Sequence, residues 1–263
     1  MRTALTIAGS DPSGGAGVQA DLKTFAAHGV YGVSAITAIT VQNTLGVEAI
    51  APLSADLVGA QIESIAGDFD IHAVKIGMLA GAAIVEAVAA AITSLDLPLV
   101  VLDPVLVSSS GERLLDDDGL TAMVTELLPR ARVVTPNLPE AEVLSGIQIS
   151  SSDEAREAAR RIQAMGPRAV IITGGHAPGG SVVDLLLDDD AYHAFNTDRV
   201  ASQNTHGTGC AYASAIAAAL ALGHSLLTAA PAAQRYVAGA IASGPAVGRG
   251  RGPLNHFWQR QSG

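Results

Sequence analysis

Thr3-Ala4-Leu5-Thr6-Ile7-Ala8-Gly9-Ser10-Asp11-Pro12-Ser13-Gly14-Gly15-Ala16-Gly17 opens the chain and decides its fold class. Residues 3–8 form a short, nearly continuous apolar run, the pattern of a strand buried on both faces. The glycine-rich turn behind it leads into a segment of helical periodicity over 17–28. A buried strand feeding a helix through a short turn is half of a βαβ unit, and the alternation recurs along the chain. Strand-like runs lie at 33–41, 47–52, 74–77, 99–103, 133–135, 169–173 and 182–187. Helical segments lie at 55–66, 82–93, 152–165, 209–222 and 226–243. Strands of this kind need helices on both faces of a mainly parallel sheet. No linker and no internal repeat divides the sequence, so residues 1–263 read as a single α/β domain.

The bulk properties agree. Hydrophobic residues make up 49% and charged residues 15%, which excludes a disordered chain. A net charge of −10 argues against nucleic acid and anionic membrane as partners. An acidic chain still binds a phosphate compound where backbone N–H groups, cations or a metal are supplied locally. The single cysteine, Cys210, excludes an intrachain disulfide and a cysteine-based zinc site. The apolar run at the N-terminus is too short for a signal peptide, and the longest run, around 211–222, is too short to span a membrane. A soluble cytoplasmic protein is the expectation.

Ligands on such sheets bind beyond the carboxyl ends of the strands. Asn204-Thr205-His206-Gly207-Thr208-Gly209-Cys210 runs straight into an alanine-rich helix. Its glycines permit a tight turn and close approach to a ligand, and the helix start offers unpaired N–H groups and a positive dipole end. Thiol pKa values fall at such places, so Cys210 is expected to be polarised as an acid, base or nucleophile; small hydrophobic filler is the plainer alternative. The loop at 8–17 carries four glycines, Gly9, Gly14, Gly15 and Gly17, suited to a small ring or a phosphate. Its spacing does not match the dinucleotide fingerprint G-x-G-x-x-G.

Asp103 stands at one strand end, and Asn137, Glu140 and Glu142 follow the next, where such groups serve a divalent cation and a polyphosphate. Each has a structural alternative: orienting a loop, making a turn, or complementing a helix dipole. Thr173-Gly174-Gly175-His176 follows another buried strand, and its glycines suit a backbone near phosphate or adenine. His176, an isolated histidine in a loop, reads more as a local hydrogen-bonding group than as a catalyst. Arg249 and Arg251 lie in a glycine-rich stretch that either neutralises phosphate or is a solvated tail.

Taken in order, residues 8–17, Gln19-Ala20-Asp21-Leu22-Lys23-Thr24, Lys75-Ile76-Gly77-Met78-Leu79, Thr135-Pro136-Asn137-Leu138-Pro139-Glu140 and residues 204–210 closely resemble the hydroxymethylpyrimidine/phosphomethylpyrimidine kinases. These are the thiamine-pathway branch of the ribokinase-like superfamily, and the resemblance runs from Leu5 to Phe257. It implies a three-layer α/β/α sandwich, usually a homodimer, that uses ATP and Mg2+. The implied substrate is 4-amino-5-hydroxymethyl-2-methylpyrimidine, phosphorylated on its hydroxymethyl group and then again on that phosphate. The resemblance implies a pyrimidine pocket of Gly9, Ala16, Asp21, Gln42, Met78 and Val105, with Gln42 pairing to the amino and nitrogen edge of the ring. It implies an anion hole over Gly207, Thr208, Gly209 and Cys210, with the thiol as general base toward the attacking hydroxyl. ATP is implied against Asn137, Thr173, Gly175, Thr205, Arg249 and Arg251, and Mg2+ on Asp103 and Glu140.

Two positions depart from the family pattern. Thr173 stands where a lysine commonly precedes Gly-Gly-His, and Ser109 where a lysine commonly precedes Ser-Gly. The expectation is that Arg249 or Arg251 swings in to cover the phosphates instead. Pyridoxal kinases share the Gly-Thr-Gly-Cys turn and a flat substrate bearing a hydroxymethyl group, so spacing does not separate the two; Gln42 and Met78 favour the pyrimidine. A binding protein on a kinase scaffold is opposed by the intact Asp103, Glu140 and Cys210. A thiol-nucleophile enzyme is opposed by the lack of an orienting pair beyond His206. No segment resembling thiamine-phosphate synthase occurs, so a fused second activity is not expected.

Overall fold

The computed structural model describes residues 1–108, 111–176 and 179–261. In chain order its elements are β1 (Thr3–Ser10), α1 (Gly17–Ala27), β2 (Tyr31–Asn43), β3 (Gly46–Pro52), α2 (Ala55–Ala66), β4 (Ala73–Ile76), α3 (Ala82–Ser94) and β5 (Val100–Leu102). There follow α4 (Asp117–Ala122), β6 (Val133–Val134), α5 (Leu138–Ser145), α6 (Ser152–Gln163), β7 (Ala169–Ile172), β8 (Ser181–Asp188), β9 (Ala191–Asp198), α7 (Thr208–Ala221), α8 (Leu226–Ala242) and α9 (Trp258–Gln261). The strands form one sheet in the order β3-β2-β1-β4-β5-β6-β7-β8-β9. Every pairing from β2 to β7 is parallel, while β3, β8 and β9 join antiparallel at the two edges.

Alternation of side chains across each strand makes the three layers. Leu5, Ile7, Val74, Ile76, Val100 and Leu102 face α2 to α6, while Ala4, Ala73, Val101, Val133 and Ile171 face α1, α7 and α8. The second face is lined largely by alanine, so α7 packs close: all of its residues from Ala211 to Ala221 are buried. The α/β/α sandwich with a mainly parallel sheet is therefore as expected. Among the described residues, no helix is long and apolar enough to cross a membrane.

Four elements went unread in the sequence: the four-residue α9, and β9, α4 and α5. Strand β9 alternates exposed and half-buried residues at the sheet edge, with too little apolar content to stand out. Helix α4 is one short segment, continued to residue 130 by single π and 3₁₀ turns. Helix α5 starts from a capping box rather than from strong periodicity.

Candidate active site

The carboxyl ends of the parallel strands meet the start of α7. That helix is capped by Gly207 with φ +81°, and a Cβ there would sit 1.9 Å from the Gly15 carbonyl oxygen. Both the left-handed backbone and the contact with the 11–17 loop thus require glycine. No side chain caps the helix, so the N–H groups of Thr208, Gly209 and Cys210 are left without intrahelical acceptors. Asp103 flanks the turn: a Cβ on Gly209 would lie 3.7 and 3.8 Å from its carboxylate oxygens.

Beneath the turn, the side chains facing α7 change from apolar to polar toward the strand ends. Ala4 is followed by Thr6, Ala73 by Lys75 and Val101 by Asp103, all buried. Lys75 Nζ lies 3.0 Å from both oxygens of Asp21 and 4.0 Å from Asp103 Oδ2. The Thr6 and Ser214 hydroxyls donate to Asp21 at 2.6 and 2.7 Å. Gly77 makes room for the ammonium, since a Cβ there would lie 2.8 Å from Nζ. Burial alone would lower the Lys75 ammonium, but the charges of Asp21, Cys210 and Asp103 hold it above its ordinary value. Asp21, read as part of the ring pocket, is fully buried on the inner face of α1 with both oxygens occupied. Its place is in the platform under the anion turn.

Cys210 is half-buried against this platform. Loss of water pushes its thiol up to about 12; Lys75 and the Gly17 N–H pull it down, and Asp21 and Asp103 push it further up. The expectation of a lowered thiol is corrected here. Burial and two carboxylates outweigh the helix start and one lysine, and the resting thiol is protonated at neutral pH.

Burial also raises Asp103, to about 6 with Lys75 opposing, and Glu140, to about 8 with the Asp103 charge adding to the effect. Asp103 Oδ2 has no hydrogen-bond partner among the described residues. Two buried carboxylates, the charge of one raising the other and one with an open oxygen, fit a divalent cation. Among the described residues no three His, Cys, Asp or Glu side chains form a metal cage. Such sparse protein ligation suits Mg2+, which takes one or two carboxylates and completes its shell with water and phosphate oxygens. Asn137 and Glu140 also fulfil their structural alternative. Asn137 Oδ1 accepts the Glu140 N–H at 3.0 Å and Glu140 Oε2 accepts the Asn137 N–H at 2.9 Å, capping α5.

On the other side of the turn, Gly9 faces Met78, where a Cβ would lie 3.1 Å from Sδ. Ala16 and Val105 are half-buried nearby in sequence to Asp11 and Asp103, and their N–H groups donate to the Asp11 carboxylate and the Asp103 carbonyl. Gln42 extends from β2 beyond its last pairing with β1 and comes within 3.3 Å of His206. His206 in turn lies 2.8 Å from Asp11.

At the β7 end, Thr173 pairs with Asn137 as a single parallel bridge, and Gly175 is exposed. Thr205 is half-buried just before His206. Arg249 and Arg251 are both exposed, and their N–H groups donate to Thr44 in the β2–β3 turn. Arg251 is the one whose charge reaches His176; after burial, Arg199 and Arg251 lower that imidazole. Arg199, which no motif marked, donates to the Gly175 and Gly179 carbonyls at 2.8 Å. Lys75 was likewise unassigned, although its motif was read. Ser109 lies outside the described residues. A shallow hollow of about 310 Å³ between β2 and α2, lined by Ser34, Leu57, Ala60, Gln61, Ser64 and Ile65, lacks titratable groups.

The site has features that suit phosphoryl transfer: an open helix start and a carboxylate with a free oxygen. A family-wide profile described as phosphomethylpyrimidine kinase matches residues 11–255. The chain belongs to the phosphomethylpyrimidine kinase family. It is 48% identical over 259 residues to a hydroxymethylpyrimidine/phosphomethylpyrimidine kinase of Rhizobium meliloti, covering 97% of this chain and 96% of that one. It is 46% identical to the thiamine biosynthesis bifunctional protein ThiED of Geobacter sulfurreducens over 96% of its own length, but spans only 52% of that relative. Among solved structures, a phosphomethylpyrimidine kinase from Clostridium difficile is 39% identical with a TM-score of 0.81, over 90% of this chain and 98% of that one. An ADP complex of Bacillus subtilis pyridoxal kinase is 37% identical with a TM-score of 0.91, over 99% of both chains. As a kinase of this family, the chain is a phosphotransferase.

Proposed function

We propose that this kinase uses Mg-ATP to phosphorylate 4-amino-5-hydroxymethyl-2-methylpyrimidine on its hydroxymethyl group, and then phosphorylates the monophosphate to the diphosphate, in thiamine biosynthesis. One observation carries the reading: the uncapped start of α7 is flanked by Asp103 and preceded by His206, which Gln42 approaches to 3.3 Å. The N–H groups of Thr208, Gly209 and Cys210 hold the transferring phosphoryl oxygens, and Lys75 adds positive charge from below. The hydroxymethyl oxygen attacks the γ-phosphorus in line; its bond to phosphorus forms as the bond to the ADP oxygen breaks, and positioning and electrostatics supply most of the acceleration. Mg2+, when bound at Asp103 and Glu140, neutralises polyphosphate charge. Cys210 faces the attacking hydroxyl. To serve as general base it must first lose its own proton, a state that Lys75 favours.

At the other end of the nucleotide, Asn137, Thr173, Gly175 and Thr205 line the ATP side. Arg251 replaces the charge missing at Thr173 and Ser109, with Arg249 further out. A homodimer is supported by exposed apolar side chains on and beside the edge hairpin, Ile39, Val41, Leu45 and Leu57. We place the enzyme in the cytoplasm.

The second reading is a pyridoxal kinase, favoured by the TM-score of 0.91 to an enzyme of that name. The test is a Mg-ATP assay offering hydroxymethylpyrimidine, its monophosphate and pyridoxal in parallel, with products resolved by mass. Conversion of the pyrimidine through to the diphosphate is the expected result. Turnover of pyridoxal alone keeps the mechanism and overturns the substrate.

A further inference from the structure

Gln42 is held from two sides. Its Oε1 lies 3.2 Å from Thr40 Oγ1, and its Nε2 lies 3.3 Å from His206 Nε2. Both neighbours have their protons committed elsewhere. The single hydroxyl hydrogen of Thr40 has a closer acceptor in the Ser10 carbonyl at 2.9 Å, which leaves its oxygen free to accept. His206 Nε2 lies 2.8 Å from Asp11 Oδ2. That carboxylate is purely an acceptor, for it also takes the Ser13 N–H at 2.8 Å, the Ala16 N–H at 2.8 Å and the Ser13 hydroxyl at 2.9 Å. Despite burial, which would raise it, these donors with His206 hold Asp11 down at about 2. His206 therefore carries a proton on Nε2 and donates it to Asp11.

With its nitrogen toward His206, the amide of Gln42 would meet a second donor, and its oxygen would meet a hydroxyl whose hydrogen is in use. Amide oxygen and nitrogen are nearly isosteric, so the hydrogen-bond network decides between the two orientations. Exchanging them removes the mismatch: the NH2 donates to Thr40 Oγ1, and the oxygen faces the His206 Nε2–H as the longer arm of a hydrogen bond shared with Asp11. The imidazole reaches this position because position 15 is glycine, where a Cβ would lie 2.4 Å from His206 Cδ2.

We propose that Asp11, His206 and Thr40 are specificity-determining positioning residues that lock the Gln42 oxygen toward the anion turn and its NH2 away from it. The inference rests on the reading above that Gln42 meets the ring. The amide then has one lone pair and one N–H left for a ligand. The lone pair lies on the side of His206, the residue before Gly207, and the N–H on the side of Thr40. A 4-aminopyrimidine matches that order, with its amino group on the oxygen and its ring nitrogen on the N–H. The hydroxymethyl group, on the carbon next to the amino-bearing one, then falls toward Cys210; the opposite amide orientation would direct it away. A 4-oxo analogue presents the reverse pattern, an acceptor beside a ring N–H donor, and is rejected.

The test measures binding of hydroxymethylpyrimidine and its 4-oxo analogue by calorimetry, with thermal melts to verify folding and KM for ATP as the control. The parent protein is expected to prefer the amino compound about 100-fold or more. His206→Leu and Thr40→Val each reduce that preference to about tenfold or less while KM for ATP changes less than about twofold, and Thr40→Ser restores it. Thr40→Val carries the test alone if His206→Leu does not fold. Equal weakening of both ligands, with the preference intact, overturns the inference and leaves His206 a structural residue. Unchanged binding in Gln42→Ala overturns the underlying reading of the ring site, and the inference with it.

Discussion

Lys75→Met probes the platform beneath the anion turn. The ammonium is fully buried and lies 3.0 Å from both oxygens of Asp21, while the Asp21 carboxylate has two further donors in Thr6 and Ser214. Methionine keeps much of the side-chain volume and removes the charge. Asp21 is left in the interior with two hydroxyls and no cation. Breaking a buried pair from one side costs about 3–5 kcal/mol, because the stranded charge keeps its desolvation penalty. For a chain of this size about 1 kcal/mol moves the melting temperature by about 2 °C, so the variant melts about 6–10 °C lower. Asp21→Asn in the same chain removes the stranded charge, and the double variant recovers about half of the loss or more. Thermal and urea unfolding of the parent, both single variants and the double variant complete the cycle. Activity separates from stability: the refolded double variant still lacks the cation under the turn, and its kcat stays about tenfold low or worse. A Lys75→Met protein melting within about 2 °C of the parent would refute the reasoning. It would mean that Asp21 is not held as a charge.

Three further outcomes are expected. Cys210→Ala slows the first phosphorylation by about 10²-fold or more and the second by much less, since a phosphate acceptor needs little help from a base; equal losses, read by single-turnover kinetics on the two acceptors, exclude a base role. Arg251→Ala raises KM for ATP about tenfold and Arg249→Ala less than about threefold, because Arg251 is the one whose charge reaches His176; the reverse order in steady-state kinetics contradicts the placement. His256 is buried, with Nδ1 on the Thr24 hydroxyl and Nε2 without a partner among the described residues, and burial lowers it from 6.5 to about 4. A depressed imidazole favours the neutral folded form, so its contribution is complete above pH 6.5 and lost as pH falls from there to about 4. Melting temperatures across that window should fall less steeply in His256→Gln than in the parent.

Much of the site is legible in the sequence itself, for a local reason. Glycines 207 and 209 before an alanine-rich helix announce an open helix start, because the backbone freedom and helix propensity involved belong to neighbouring residues. Asp103 and Glu140 were legible as residues following strands, since ligand sites in such sheets lie there. Roles that depend on distant partners were not. Asp21 has the appearance of a pocket residue in its motif, but one turn of α1 aims it inward at Lys75, more than fifty positions away. The thiol of Cys210 looks activated by its helix start alone, and burial first, with the carboxylates of Asp21 and Asp103 adding to it, reverses its direction. Arg199 carries no local signal at all, lying beyond an edge strand that periodicity had already missed.

By itself, then, the sequence determined the layered α/β architecture, the family and the glycine-lined anion turn, because strand alternation, helix propensity and turn chemistry act over a few residues. The tertiary structure decided which charges share a buried space. It paired Lys75 with Asp21, set Asp103 against Glu140, and closed Asp11, His206 and Gln42 into one chain of hydrogen bonds. Protonation and amide orientation are properties of such assembled neighbourhoods, since desolvation and donor–acceptor matching exist only once the chain has folded.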